Sequence, residues 1–122
     1  MSAPRKKPKV NSRGVGHAYE RELRLRFIKM GFDKCQTSRF ASKMMDDAGV
    51  DFVGTGPLYV QAKRTAKQPS FRKVLGHMPE DSHINVVYHK IPNEGELVVM
   101  RAADFEDIVD VLLKEGIWKT DS

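Results

Sequence analysis

Between Asp46 and Thr65 the chain runs Asp-Asp-Ala-Gly-Val-Asp-Phe-Val-Gly-Thr-Gly-Pro-Leu-Tyr-Val-Gln-Ala-Lys-Arg-Thr, two short apolar runs parted by a Gly-Thr-Gly-Pro turn. The pattern predicts strands over about 50–54 and 58–65, joined as a hairpin. Side chains on a strand alternate between faces, so Gln61 and Lys63 share one face while Val60 and Ala62 take the other. With the two strands side by side, the Asp51 carboxylate, the Gln61 amide and the Lys63 ammonium gather at one place. Such a trio suits metal-assisted attack on a phosphodiester. The carboxylate binds a hard divalent cation through oxygen, and the lysine balances charge or orients the attacking water.

Around this stretch the other elements follow from periodicity. From about Gly16 to Met30, Tyr19, Leu23, Phe27 and Met30 recur at helical spacing among Arg21, Arg24, Arg26 and Lys29, which reads as an amphipathic basic helix stopped by Gly31. A strand signal at about 34–39 leads into the loop Thr37 to Ser42. A short helix is expected over 70–77, opened by Pro69 or Ser70. A strand over 83–90, a turn at Pro92-Asn93-Glu94-Gly95 and an antiparallel partner over 96–100 come next. Phe105, Ile108, Val109 and Leu112 then form a helix behind Asp104, stopped by Gly116. The order α-β-β-β-α-β-β-α predicts an α/β fold, a mixed β-sheet flanked by helices. Residues 1–13, basic and without periodicity, are expected to be a flexible arm, and 14–122 a single domain.

Charge separates the two ends of the chain. Of 21 Lys and Arg and 16 Asp and Glu, residues 1–74 hold seventeen against six, a charge of +11, and residues 75–122 hold four against ten, a charge of −6. The half with the Asp51 to Lys63 stretch is therefore the basic half, as expected for a protein that contacts phosphates with Lys and Arg and releases counterions on binding. The length of 122 residues leaves little room for a separate recognition module. No apolar run approaches the roughly 18 residues of a membrane span, and the basic start lacks the apolar segment of a signal peptide. The single cysteine, Cys35, excludes an internal disulfide and fits a reducing cytoplasm, and no Cys/His cluster has zinc spacing.

Gly49-Val50-Asp51 followed by Val60-Gln61-Ala62-Lys63-Arg64 resembles the PD-(D/E)xK nuclease superfamily, and within it the Mrr-like restriction endonucleases, in which Gln commonly replaces the second acid. Upstream, Gly16-His17-Ala18-Tyr19-Glu20-Arg21-Glu22-Leu23 and then Met30-Gly31-Phe32 resemble the first helix of archaeal-type Holliday-junction resolvases, which carries an acidic metal ligand. The similarity spans roughly residues 14–75. It implies a restriction-endonuclease-like fold and a Mg²⁺-dependent (or Mn²⁺-dependent) endodeoxyribonuclease, with Glu20, Asp51, Gln61 and the backbone carbonyl of Ala62 as metal ligands and Lys63 as the catalytic ammonium. Two departures from the resolvase pattern stand out. Gln61 replaces a Glu, removing one negative charge from the metal site, and no serine of the loop Thr37 to Ser42 aligns securely with the functional serine of those enzymes.

Each candidate has a plainer explanation. Asp51 beside a glycine could simply cap a turn, Lys63 could be a solvated edge residue, and Gln61 an ordinary strand residue. Glu20 and Arg24 have the spacing of an i,i+4 ion pair, and Glu22 is the rival of Glu20 for the metal. Asp46 and Asp47 read as loop solvation, with metal ligation the lesser reading of either, and His17, His77, His83 and His89 as structural or surface groups. Tyr59 and Trp118 read as packing residues, and Met44-Met45 as cover for the core. Arg39, Lys43, Arg64, Lys67, Arg72 and Lys73 are the expected phosphate contacts, which position a duplex without reading its bases. The expected substrate is branched DNA cut by a homodimer, for which the helix over 104–115 is a candidate surface. Alternatives are a restriction or repair nuclease on linear duplex, and a non-catalytic nucleic-acid-binding protein on a degenerate nuclease fold.

Overall fold

The computed structural model describes residues 12–121, so the basic arm expected over 1–13 lies outside the described residues except for its last two, which open the first helix. That helix, α1 (Ser12–Met30), starts about a turn before Gly16. Glycine costs a helix only about 1 kcal/mol relative to alanine, which is small against the burial of a full apolar stripe. Tyr19, Leu23 and Phe27 form that stripe and are all buried. Gly31 ends the helix with φ +121°, a conformation open to glycine but strained for other residues.

The expected strand over 34–39 shrinks to β1 (Gln36–Thr37), and the expected loop after it is helical instead, as α2 (Ser38–Ala41) and α3 (Lys43–Asp47). The Ser38 amide donates to the Asp51 carbonyl at 2.8 Å, the last bond of the pairing, and the Ser42 hydroxyl accepts from the Met45 amide at the start of α3. β1 pairs antiparallel with β2 (Phe52–Val53) as a two-stranded sheet. β3 (Leu58–Arg64), β4 (Ile84–Ile91) and β5 (Gly95–Met100) form a second, mixed sheet in that order. β3 and β4 are parallel in the register Leu58 to Ile84 through Arg64 to Lys90, and β4 and β5 are antiparallel. A parallel pair needs a crossover, which carries α4 (Phe71–His77). The last helix, α5 (Ala102–Lys114), begins just after Arg101 rather than behind Asp104. Asp104 lies in its first turn, where a negative charge is favourable.

The three-stranded sheet is covered on both faces. Val60 and Val86 pack with the α1 stripe, Cys35 and Phe52, and Leu58 and Ala62 join them. On the other face Val87 packs with Val50, Leu75 and Met78, and Tyr59, Phe71 and Val74 close over it. α1 is clasped to β5 by Glu96, which accepts from the Tyr19 hydroxyl and from Arg26 Nη1 at 2.8 and 2.9 Å. Two packing expectations fail. Met44 is 74% exposed and Trp118 50% exposed, because α3 turns only Met45 toward the second core and the chain after α5 turns back on Leu112 at the end of that helix. Among the described residues no helix is long and apolar enough to cross a membrane.

Candidate active site

Asp51 precedes β2 and is tied to its surroundings by three hydrogen bonds. Its amide donates to the Val60 carbonyl at 2.8 Å, its carbonyl accepts from Ser38, and its Oδ2 accepts from the Ala62 amide at 2.7 Å. The hairpin expected between β2 and β3 is therefore not a two-stranded ladder. β2 spends its pairing on β1, and Asp51 bridges to β3 with one main-chain bond and its carboxylate. That bridge explains why Asp51 is not a solvated turn residue: its side chain substitutes for a strand carbonyl. Ala62 reaches the site through its amide, whereas the expectation concerned its carbonyl.

Burial pushes the Asp51 carboxyl up to about 7, against the opposing hydrogen bond from Ala62; Glu20 and Asp46 raise it further and Lys63 lowers it. These influences place Glu20, Asp46 and Lys63 within electrostatic reach of one carboxylate. Glu20 itself is raised, chiefly by burial, with Arg39 and His17 opposing and Asp46 adding to the rise. Its side chain is only 16% exposed, and Oε2 has no hydrogen-bond partner among the described residues. The nearest cation, Arg39 Nη2, stands at 3.6 Å, beyond hydrogen-bond length. The ion pair Glu20–Arg24 suggested by helical spacing does not form, since Arg24 Nε donates to the Cys35 carbonyl at 2.9 Å. Glu22 points away to Lys90, 3.7 Å from its Nζ, so of the two rivals Glu20 is the one beside Asp51.

Gln61 and Lys63 are half-buried on the sheet face opposite Val60 and Ala62. The Gln61 amide oxygen lies against Gly49, where an added Cβ would sit 3.5 Å from it, and Gly49 itself has φ +80°. Lys63 forms no ion pair within 4.0 Å among the described residues; its electrostatic partner is Asp51. Of the other basic candidates, Arg39 alone adjoins these acids. Lys43 is held by Asp47 at 3.0 Å in an exposed pair, and Arg64 and Lys67 are exposed at and beyond the end of β3. Arg72 and Lys73 are exposed on α4, and Arg72 lines a separate cleft of about 630 Å³ with Val99 and Arg101 that contains no acid.

Three groups near the acids stand outside the expected metal and catalytic set. His17 acts on Glu20 from one turn earlier, an i,i+3 relation that was readable. Asp46 bears on both acids. Ser38 is fully buried with its amide on Asp51 and its hydroxyl without a partner, and only the fold distinguishes it from Ser42. The remaining histidines described by the structure are structural or peripheral: His89 is buried with Nε2 2.8 Å from the Thr65 hydroxyl, His83 stacks on Tyr59 at 4.0 Å, and His77 is exposed at the end of α4.

No protein-family model matches this chain, and neither a curated protein nor a solved structure does. Its chemistry rests on the geometry of the site. Among the described residues no three His, Cys, Asp or Glu side chains are grouped as metal ligands. The oxygen donors that bear on each other are the Glu20 and Asp51 carboxylates, a chemistry that suits a hard divalent cation. Both half-buried carboxyls resist ionisation, one has an oxygen without a donor, and a cation between them would relieve both.

Proposed function

We propose that this chain is a metal-dependent endodeoxyribonuclease of the restriction-endonuclease-like fold, acting on branched DNA in the manner of a Holliday-junction resolvase. The observation that carries the reading is Asp51. It is a carboxylate fixed by Ala62, resisting ionisation because it is buried, and within reach of a second acid and of Lys63. Glu20, Asp51 and the Gln61 amide oxygen would hold Mg²⁺ or Mn²⁺, which when bound supplies positive charge against the scissile phosphate and a more acidic water. Ala62 holds the Asp51 carboxylate in place, and Ser38 fixes the segment behind it. Lys63 accompanies the developing negative charge and orients the attacking water. Arg39 positions a phosphate at the mouth of the site, next to Glu20.

A second copy would place two such sites on one junction. Leu97, Val98, Phe105 and Val111 are exposed on β5 and α5, and α5 buries no residue of its own, which supports that face as the dimer surface. One observation favours a different reading. With Gln61 in place of an acid the donor set holds two carboxylates, which suits a DNA-binding protein that has lost catalysis. Purified protein offered a labelled four-way junction, a flap and a plain duplex with and without Mg²⁺ decides between them. Cleavage of the junction that needs Mg²⁺ and disappears in Asp51→Asn supports the enzyme. Salt-sensitive binding with no cleavage under any of these conditions leaves only the binder.

A further inference from the structure

Residues of α1, β1 and α2 line a cleft of about 380 Å³: Arg21, Arg24, Gln36, Thr37, Arg39 and Phe40. Half of these lining residues carry guanidinium groups, and none carries a carboxylate. Arg24 is anchored through Nε to the Cys35 carbonyl, which aims its side chain while leaving its terminal nitrogens as donors. Arg21 is exposed and forms no ion pair within 4.0 Å among the described residues. Arg39 contacts Glu20 only at 3.6 Å, so it too retains donors. Phe40, at the rim, is 82% exposed, and core packing gives no reason for an aromatic ring there.

Guanidinium forks match phosphate oxygens in geometry and charge. A ring facing water offers its π-face to a base. We infer that this cleft takes one unpaired nucleotide of a DNA strand, with its phosphate held by Arg21 and Arg24 and its base stacked on Phe40. A base within a continuous duplex has both faces covered by its neighbours, so the occupant comes from a branch, a bulge or a frayed end. The inference rests on the nuclease reading and sharpens it. Because Arg39 lines the cleft and also faces Glu20, a nucleotide bound there delivers the adjoining phosphate to the acids. The substrate class is then DNA with an unpaired nucleotide next to the cut.

Binding without metal tests this apart from catalysis. The probes are a duplex with one bulged 2-aminopurine nucleotide and the same duplex fully paired, titrated in EDTA and read by anisotropy and by 2-aminopurine fluorescence. Wild-type protein is expected to prefer the bulged duplex and to quench its fluorophore. Phe40→Ala should weaken bulged-duplex binding about ten-fold and abolish the quenching while leaving paired-duplex affinity unchanged. Arg21→Gln should preserve the quenching and lower the salt slope of bulged-duplex binding by about one phosphate contact. Both side chains are exposed, so neither change should alter the melting temperature. Equal effects of Phe40→Ala on the two duplexes, or no effect on either, overturn the assignment. A protein that selects the bulge yet never cleaves keeps the cleft and loses the nuclease reading. Cleavage indifferent to Phe40 and to the bulge does the reverse.

Discussion

Two carboxylate clusters in this molecule are built from similar residues and come out oppositely. Glu96 on β5 is partly buried, yet the hydrogen bonds from Tyr19 and Arg26 and the charges of Arg26 and Lys90 overcome that burial and hold it below the usual carboxylate range. Its charge is fully partnered, and it joins α1 to the sheet. Asp51 and Glu20 are half-buried with too few donors, and both are raised. The first cluster is finished as it stands. The second leaves two acids short of the donors that would hold their charge, the kind of perturbation that gathers at functional sites.

The widest separation between the clusters should appear in catalysis. Asp51→Asn or Lys63→Met is expected to lower Mg²⁺-dependent junction cleavage by about 10²–10³-fold, with junction affinity nearly unchanged, as removal of one charge-stabilising group does elsewhere. Single-turnover cleavage beside a gel-shift titration checks this, and near-wild-type rates for both variants would erase the distinction between the clusters. Glu96→Ala should do the opposite. Leaving Arg26 and the Tyr19 hydroxyl without their acceptor is expected to cost about 2–3 kcal/mol of stability, seen in urea unfolding, while cleavage in the folded protein persists.

A third difference concerns pH. With its carboxyl raised to about 7, folded Asp51 holds a proton that the unfolded chain has already released above its ordinary value of 3.8. The metal-free protein should therefore lose stability as pH rises through that window, by an amount on the order of 4 kcal/mol. Asp51→Asn, which keeps an oxygen for the Ala62 amide, should be more stable than wild type at pH 8 and equal to it at pH 4. Adding Mg²⁺ at pH 8 should raise the wild-type melting temperature and leave the variant unmoved. Thermal melts across pH in EDTA and in Mg²⁺ read both effects, and identical pH profiles for the two proteins would rule out the buried-charge account. The smallest effect belongs to Glu22. Glu22→Gln removes only the half-exposed contact with Lys90, so stability should change by less than about 1 kcal/mol and cleavage not at all, whereas Glu20→Gln should reduce cleavage.

Much of the architecture was readable because its signals are local. The Tyr19-Leu23-Phe27 stripe, the Pro92 to Gly95 turn and the apolar runs at β3, β4 and β5 need no distant partner to be recognised. The segment from Thr37 to Asp47 was misread because its short helices depend on Ser38 donating to Asp51, thirteen residues further on. The hairpin was misread for a related cause: β2 chose β1, a preference that no local pattern around Gly54 to Pro57 expresses. Exposed Met44 and Trp118 show that an apolar residue type does not by itself predict burial.

The sequence alone determined the inventory: an acid on the first helix, Asp51 before a glycine turn, Gln61 and Lys63 two apart on a strand, and a basic stretch followed by an acidic one. Spacing carries such information because periodicities of 3.6 and 2 fix which side chains share a face. Only the tertiary structure decided that Glu20 rather than Glu22 accompanies Asp51, that Ala62 holds it by an amide, and that Arg21, Arg24 and Phe40 share a cleft beside Arg39. Those outcomes depend on how separate elements dock, and the burial that raises the two acids exists only once they have done so.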